Sequence, residues 1–146
     1  MYDVVVLPTD GEPNSQPAVE HAVELARLHS AELHVLHAVD ESLVEVLDAL
    51  DDEDRSEEDY RRSLERRGER AVDEAVEKAD AVDVSAVGEL RYGSPEDVVV
   101  GYAEEVDADL VVMGTKHQPE EYREILGSVT ERVLRRTPRT VSVVKA

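Results

Sequence analysis

Five short apolar runs alternate along the chain with stretches in which apolar residues recur every three to four positions. The runs cover residues 4–7, 33–39, 84–90, 110–113 and 141–144. The first and the fourth are apolar without interruption, which is typical of strands covered on both faces. The pattern therefore predicts five strands, with the first and the fourth inside a sheet.

Helical periodicity fills the intervals between the runs. Small and apolar residues at helical spacing predict a first helix over residues 15–29, and a stripe from Leu64 to Ala79 predicts a long second helix. Ser94, followed by a proline and two acids, indicates the start of a third helix that ends near residue 105. Each of the first three strands is thus followed by a candidate crossover helix.

The last helix begins with the pattern of a capping box. Ser128 and Glu131 have the spacing at which each side chain can bond to the other's backbone N–H. Arginines near residue 136 suit the negative end of this helix, and Pro138 stops it. Because a short box of this kind also caps helices that bind nothing, a purely structural role for Ser128 stays open.

Alternation of strands and helices predicts a single α/β domain. Parallel strands joined by right-handed crossovers form an open sheet with helices on both faces. Ligands of such sheets bind outside the carboxyl ends of the strands. Here those ends carry small or polar residues: residues 8–10, residues 38–40, and Met113 with Gly114. Their convergence favours a binding site, although Asp10 alone would also suit a turn.

Composition narrows the class of protein. The 146 residues suffice for one domain with a real core. There is no cysteine, which excludes disulfides and thiolate metal sites. No apolar run approaches the ~18 residues of a membrane helix, and residues 1–4 look like the start of a strand rather than a signal peptide. We expect a cytoplasmic protein with no membrane contact.

The charge predicts a surface covered with carboxylates. Asp and Glu number 35 against 16 Lys and Arg, which gives a net charge of −19. A nucleic acid would be repelled, so no such partner is expected. The acids are spread through amphipathic segments, which indicates a folded halophilic domain whose self-repulsion is screened by concentrated salt.

The densest acidic stretch covers residues 41–59. Ten of these nineteen residues are acids, and Arg55 is the only base. Some helical spacing of its leucines and valines predicts a loop or short helix that leads into the long second helix, with Ser56 and Asp59 at the start of that helix. A solvated surface insert is favoured over a binding element.

The most informative pattern follows the fourth strand. The strand runs into Gly114, and Gly127 with Ser128 opens the last helix. A glycine loop before a helix N-terminus can cradle phosphate, because free backbone N–H groups and the helix dipole point the same way. No Walker lysine and no Ser–His–Asp set is identifiable in the sequence. His34 and His37 are three residues apart on a strand and point to opposite faces, so no metal site is expected.

Six pieces in a specific order make the chain resemble the universal stress protein family over nearly its whole length. They are VVVLPTDG at 4–11, LHAVD at 36–40, GSPE at 93–96, ADLVVMGT at 108–115, GSVTERV at 127–133 and VSVVK at 141–145. The chain is identified as an acidic, haloarchaeal-type member. The resemblance implies one Rossmann-like domain of the adenine nucleotide alpha hydrolase type over residues 1–146, and a homodimer paired through the last strand at Val141 and Val143.

Members of this family that bind ATP carry a glycine, two residues, a second glycine, nine residues, and then glycine with a serine or threonine. Gly114, Gly127 and Ser128 fit, and His117 stands where the second glycine is expected. The resemblance implies a site for ATP, with Mg or Mn as its cation. Its residues would be Pro8, Thr9 and Asp10 at the adenosine, Ala38 at the adenine, Met113 and Gly114 at the ribose, and His117, Gly127, Ser128, Val129 and Thr130 at the phosphates.

His117 separates two interpretations. Glycine lets the backbone approach a phosphate closely, whereas histidine fills that space but brings a side chain that a phosphate would help to protonate. The favoured interpretation is an ATP-binding regulator of the stress response. The alternative is an interaction module of the same family that binds no ATP and acts through its dimer or partner surfaces. An enzymatic role is least favoured, with slow ATP hydrolysis at most.

Overall fold

The computed structural model describes residues 1–50, 56–115 and 128–145. Within them the strands are β1 (Val4–Pro8), β2 (Glu32–Val39), β3 (Ala86–Tyr92), β4 (Leu110–Gly114) and β5 (Thr140–Val144). The helices are α1 (Gln16–His29), α2 (Glu41–Leu50), α3 (Glu57–Asp80), α4 (Pro95–Glu105) and α5 (Ser128–Arg136). A 3-10 turn over Pro13–Ser15 precedes α1. The predicted strands and helices are all present, with ends shifted by about two residues at most.

The strands form one parallel sheet in the order β3-β2-β1-β4-β5. β1 lies in the centre and pairs with β2 from Val4 opposite Glu32 to Pro8 opposite Leu36. On its other edge β1 pairs with β4, where Val5 lies opposite Leu110. Buried residues dominate both β1 and β4, as their uninterrupted apolar runs predicted.

Helices cover both faces of the sheet, which confirms the predicted α/β architecture. On one face α4 and α5 pack around Tyr102 and Val133. On the other face α1 and α3 contribute small side chains, so their backbones can lie close to the strands. These buried alanines are Ala18, Ala22, Ala26, Ala71, Ala75 and Ala79.

The acidic residues 41–59 contribute to two helices. Residues 41–50 form α2, which buries Val44 completely, and residues 51–55 lie outside the described part of the chain. The Arg61 guanidinium donates three hydrogen bonds of 2.8 to 3.2 Å to the Glu41 carboxylate and so ties α2 to α3. Ser56 and Asp59 form the predicted capping box at the start of α3.

Arginines fasten α5 and β5 to α4. Arg132 and Arg136 of α5 pair with Glu96 and Asp97, the acids that open α4, at 3.2 and 2.6 Å. Arg139, which precedes β5, pairs with two acids near the end of α4 at 3.1 and 2.6 Å. Exposed pairs contribute little to stability individually. Together they define which faces of α4 and α5 meet, and so they orient the N-terminus of α5.

Across the described ranges, no helix is both long enough and apolar enough to cross a membrane. α3, the longest at 24 residues, carries charged side chains along most of its outer surface.

One carboxylate joins the amino ends of β1 and β4. Oδ2 of Asp109 accepts hydrogen bonds from the backbone N–H groups of Asp3, at 2.8 Å, and Val4, at 2.9 Å. The N–H of Asp109 in turn donates to the Val4 carbonyl at 2.9 Å. The two donated N–H groups stabilise the ionised carboxylate and lower the pKa of Asp109.

We expect Asp109→Asn to lower the free energy of unfolding near neutral pH, because an amide oxygen accepts these hydrogen bonds less strongly than a carboxylate. A lowered folded-state pKa contributes stability above the unfolded-state value of ~3.9, and this stability is lost as pH falls through the folded-state value. The variant should therefore lose less stability than the wild type between about pH 6 and about pH 3. Urea unfolding followed by circular dichroism measures both losses, and equal losses would contradict the expectation.

Candidate functional site

The carboxyl ends of β1, β2 and β4 open onto one cavity with a volume of about 650 Å³. β1 has β2 on one side and β4 on the other, so the chain leaves these strands in opposite directions and a crevice forms between them. The first turn of α5 lines the cavity beside β4. Residues of α2 and α3 form the wall beside β2.

Most of the residues indicated by the sequence meet in this cavity. Those that line it are Pro8, Thr9, Asp10, Ala38, Met113, Gly114, Ser128, Val129 and Thr130. The other two, His117 and Gly127, lie outside the described residues. Three strand ends and one helix start, far apart in the sequence, therefore share one crevice.

The loop after β1 is a tight turn held by its own side chains. Oδ1 of Asp10 accepts from the Glu12 N–H at 2.9 Å, and Oγ1 of Thr9 accepts from the Gly11 N–H at 3.3 Å. Gly11 has a φ of +77°, and a Cβ at this position would lie 2.8 Å from the Cβ of Ala71. Asp10 is thus a turn-forming residue that also lines the cavity.

The end of β2 brings backbone and polar side chains to the cavity. Oδ1 of Asp40 caps α2 by accepting from the N–H and the hydroxyl of Ser42 at 3.0 and 2.6 Å. Nδ1 of His37 lies 2.7 Å from the Thr9 carbonyl oxygen. Because a carbonyl oxygen only accepts, Nδ1 carries the hydrogen. The imidazole therefore ties β2 to the last residue before the Asp10 turn.

The two histidines of β2 point to opposite faces of the sheet, as predicted. Whereas His37 contacts the β1 turn, His34 faces α4, with Nδ1 2.7 Å from the Tyr102 hydroxyl and Nε2 2.6 Å from the Glu32 carboxylate. Burial raises the pKa of Tyr102 to about 12. In the described part of the chain, no group of three or more His, Asp or Glu side chains is arranged to hold a metal ion.

The first turn of α5 is locked to the end of β4. Oγ1 of Thr130, a residue that is 5% exposed, donates to the Gly114 carbonyl at 2.9 Å. The hydroxyl hydrogen of Thr130 is thus used to hold α5 against β4, whereas the resemblance implied a contact between Thr130 and a phosphate. Glu131, predicted to complete a capping box with Ser128, pairs with Arg135 at 2.9 Å instead. The N–H groups of Ser128 to Thr130 have no partner within the helix and form an anion-binding geometry.

Part of the cavity wall was not identified from the sequence. Leu43 of α2, Leu64 and Arg67 of α3, and Pro95 and Val99 of α4 all line it. Leu64 and Arg67 are three residues apart and share one face of α3, which was the available signal. Five arginines lie between positions 61 and 70, and nothing in the sequence distinguishes the one that faces the cavity.

The described walls of the cavity carry more acid than base. Asp10, Glu12 and Asp40 supply carboxylates, and Arg67 supplies a guanidinium. Arg67 pairs with Glu12 at 2.9 Å, with side chains 60% and 50% exposed. A pair so well solvated contributes little to stability and can exchange its partners at low cost. Arg67 is thus accessible to an anionic ligand.

Several polar side chains of the cavity are bonded within the protein. Among the described residues that line the cavity, the nitrogen Nδ1 of His37 is bonded to a backbone carbonyl, and the hydroxyls of Thr9, Ser15 and Thr130 bond to other hydroxyls or to carbonyls. Backbone N–H donors and apolar surface remain for holding a ligand.

Three comparisons with known proteins fit this geometry. The universal stress protein MJ0531 of Methanocaldococcus jannaschii is 34% identical over 145 residues, which cover 99% of this chain and 83% of the relative. The solved structure of MJ0577 from the same organism superposes with a TM-score of 0.84 at 25% identity, covering 100% of this chain and 97% of that one.

A universal stress protein solved in complex with cAMP superposes with a TM-score of 0.70 at 27% identity, covering 99% of this chain and 97% of that one. The family model described as the universal stress protein family matches residues 1–145. With the sheet order, the cavity at the switch point and these matches in agreement, the chain belongs to the universal stress protein family.

Proposed function

We propose that the protein binds an adenine nucleotide such as ATP and acts in the cytoplasm as a dimeric regulator of the stress response. One observation carries the proposal: three strand ends and the first turn of α5 line a single cavity of about 650 Å³. The relative that was solved with cAMP supports an adenine nucleotide as the class of ligand.

The phosphates would lie at the first turn of α5. The N–H groups of Ser128, Val129 and Thr130 and the helix dipole favour negative charge there. This turn is held in place before any ligand arrives, because the Thr130 hydroxyl bonds to Gly114 and arginines of α5 pair with the start of α4. Donors that are already oriented need no ordering on binding.

The adenosine would lie beside the ends of β1 and β2. Ala38 offers backbone groups, and Asp10 places a carboxylate on the same crevice. Leu43, Leu64 and Met113 supply the apolar surface that a planar base requires. The apolar residues come from α2, α3 and β4, so they enclose the base from more than one side.

The charge of the cavity makes a divalent cation part of the proposal. Asp10, Glu12 and Asp40 repel a triphosphate, and the whole chain carries a net charge of −19. Mg²⁺ or Mn²⁺ bound to the phosphates would lower this repulsion and could take a carboxylate oxygen as a further ligand. Such an ion would arrive with the nucleotide, because nucleotide phosphates supply most of its ligands.

The same charge favours one second candidate, an interaction module that binds no ATP. If the carboxylates that line the cavity outweigh the donors of α5, the crevice excludes polyphosphates and the protein acts through its surfaces. Titration with ATP separates the two candidates, because they share a fold and differ only in occupancy of the cavity.

We expect the wild-type protein to bind Mg·ATP saturably and Ser128→Trp to bind it at least about tenfold more weakly, which corresponds to ~1.4 kcal/mol. Ser128 is exposed at the first turn of α5 and lines the cavity, so an indole there would cover the N–H groups that receive the phosphates. Isothermal titration calorimetry in concentrated salt measures both affinities.

Ser63→Trp is the matched control for this titration. Ser63 is exposed on α3, and the lining of the cavity does not include it, so the same substitution there should leave ATP affinity unchanged. Wild-type protein that is folded and dimeric but binds no ATP at millimolar concentration would refute ATP binding and favour the interaction module.

The homodimer would form along the outer edge of β5. In the described sheet β5 pairs with β4, where Gly114 lies opposite Val144, and the Thr115 N–H donates to the Val144 carbonyl at 3.1 Å. Backbone groups alternate sides along a strand, so those of Val141 and Val143 point away from β4. A second copy related by a two-fold axis can pair with this edge.

We expect Val143→Pro to convert the dimer to a monomer. Proline removes the outward N–H of residue 143 and leaves the bonds between β4 and β5 in place. Val143→Thr keeps both the N–H and the branched shape, and should remain dimeric. Light scattering after size-exclusion chromatography gives the mass of each protein, and a Val143→Pro dimer as tight as that of the wild type would rule out pairing through β5.

A further inference from the structure

The ladder between β1 and β2 ends in an unusual way. Pro8 lies opposite Leu36, and the Thr9 N–H donates to the Leu36 carbonyl at 2.9 Å. In a parallel ladder that continued, the Thr9 carbonyl would next accept from the N–H of Ala38. Instead it accepts from a side chain, Nδ1 of His37, at 2.7 Å.

Because the His37 side chain replaces Ala38 as the donor to Thr9, the Ala38 N–H faces the crevice. Alternate residues of a parallel strand bond to opposite neighbours. Leu36 bonds toward β1, whereas the Val39 carbonyl accepts from Gly93 on the β3 side at 3.0 Å. Ala38 therefore directs its N–H to the β1 side, where β1 has already ended, and Ala38 lines the cavity. Among the hydrogen bonds of the described residues, the Thr9 carbonyl is given to His37 and none joins it to this N–H.

α3 provides the space that the imidazole occupies. Gly68 is buried within α3, where glycine is less favourable than alanine. A Cβ at Gly68 would lie 2.3 Å from Cδ2 and 2.9 Å from Cγ of His37, so any other residue would displace the ring. Gly101 in α4 has no heavy atom within 4 Å of such a Cβ. The glycine of α3 thus has a packing reason that Gly101 lacks.

We propose that His37 is a positioning residue of the nucleotide site: its imidazole occupies the Thr9 carbonyl and so keeps the Ala38 N–H free to donate to a ring nitrogen of the base. This inference rests on the proposed function and deepens it. The same hydrogen bond fixes the peptide that precedes Asp10, so one side chain holds both edges of the crevice that would receive adenosine.

A free backbone N–H selects between purines. Adenine presents a lone pair at N1, which accepts from such a donor, whereas N1 of guanine carries a hydrogen and would face a second donor. A buried donor left unpaired is unfavourable, so the site should prefer adenine. If the Ala38 N–H donated to the Thr9 carbonyl instead, neither base could use this donor. The preference for adenine over guanine would then decrease.

The first test compares two substitutions of His37 by calorimetric titration with Mg·ATP and Mg·GTP. His37→Leu keeps a similar size but has no donor, and should weaken ATP binding roughly tenfold and bring the two affinities close together. His37→Asn places an amide nitrogen near the position of Nδ1, so it should retain most of the affinity and of the adenine preference. A merely structural histidine would change stability in both variants and leave the ratio of ATP to GTP affinity unchanged.

A second test disrupts the hydrogen bond between His37 and Thr9 by a substitution in α3. Gly68→Ala should displace the ring from Thr9 and reproduce the loss of affinity and of base preference seen in His37→Leu. Gly101→Ala is the matched control, since it adds the same methyl group to a helix where there is open space, and it should bind like the wild type. Combining Gly68→Ala with His37→Leu should add no further loss of base preference, because both changes remove one contact.

Amide hydrogen exchange without nucleotide separates failure of this inference from failure of the proposed function. The Ala38 N–H should exchange quickly in the wild type and in His37→Asn, and about tenfold more slowly in His37→Leu, where the Thr9 carbonyl can accept it. Slow exchange in the wild type, or His37→Leu with unchanged affinity and base preference, would overturn the role of His37. A wild type that binds no nucleotide would overturn the proposed function and the role in base recognition, while the exchange rates still decide whether His37 displaces the Ala38 N–H.

Discussion

The backbone at the end of β1 must find hydrogen-bond partners without help from a continuing ladder, and the site depends on how it does so. β1 is bonded on both edges and buried through its middle, but its pairing with β2 ends at Pro8 opposite Leu36. The Thr9 carbonyl and the N–H groups of Gly11 and Glu12 bond to nearby side chains, namely those of His37, Thr9 and Asp10. Because partners come from the turn itself and from one histidine, neither β2 nor β4 has to close over the crevice. An open switch point is thus compatible with bonded peptide groups at Thr9, Gly11 and Glu12, while the Ala38 N–H stays open to the crevice.

Small residues on α3 bring that helix close enough to shape the turn and the wall together. Ala71 contacts the position of Gly11, and Gly68, one turn earlier, admits the ring of His37. Leu64, one further turn toward the N-terminus, and Arg67, the residue before Gly68, line the cavity. A single face of α3 therefore packs on the sheet at one end and forms the ligand wall at the other. Larger residues at these positions would move the wall and the turn at the same time.

The sequence was a good guide wherever a local pattern carried the information. Buried parallel strands are recognisable as apolar runs, and Ser56 with Asp59 has the spacing of a helix capping box. The strand ends followed from topology, since carboxyl ends of parallel strands must meet. Arg67 and the bond from His37 to Thr9 were not predictable, because they depend on which face of α3 meets β2. Glu131 pairs with Arg135 and does not form the predicted capping box with Ser128. The sequence places both partners within reach of Glu131, so spacing alone does not distinguish them.

The excess of carboxylates around the cavity limits which groups can bind an anion there. The arginines of this acidic chain are largely committed to carboxylates that fasten helices together, as with Arg61, Arg132, Arg136 and Arg139. Arg67 lines the cavity, but Glu12 already pairs with it and two more carboxylates lie on the same walls. Long-range attraction therefore cannot bring a phosphate to the described part of this site. Within the described residues, affinity for a nucleotide would come mainly from short-range, oriented donors at α5 and Ala38, which act best on a ligand whose own charge is offset by a cation or screened by salt.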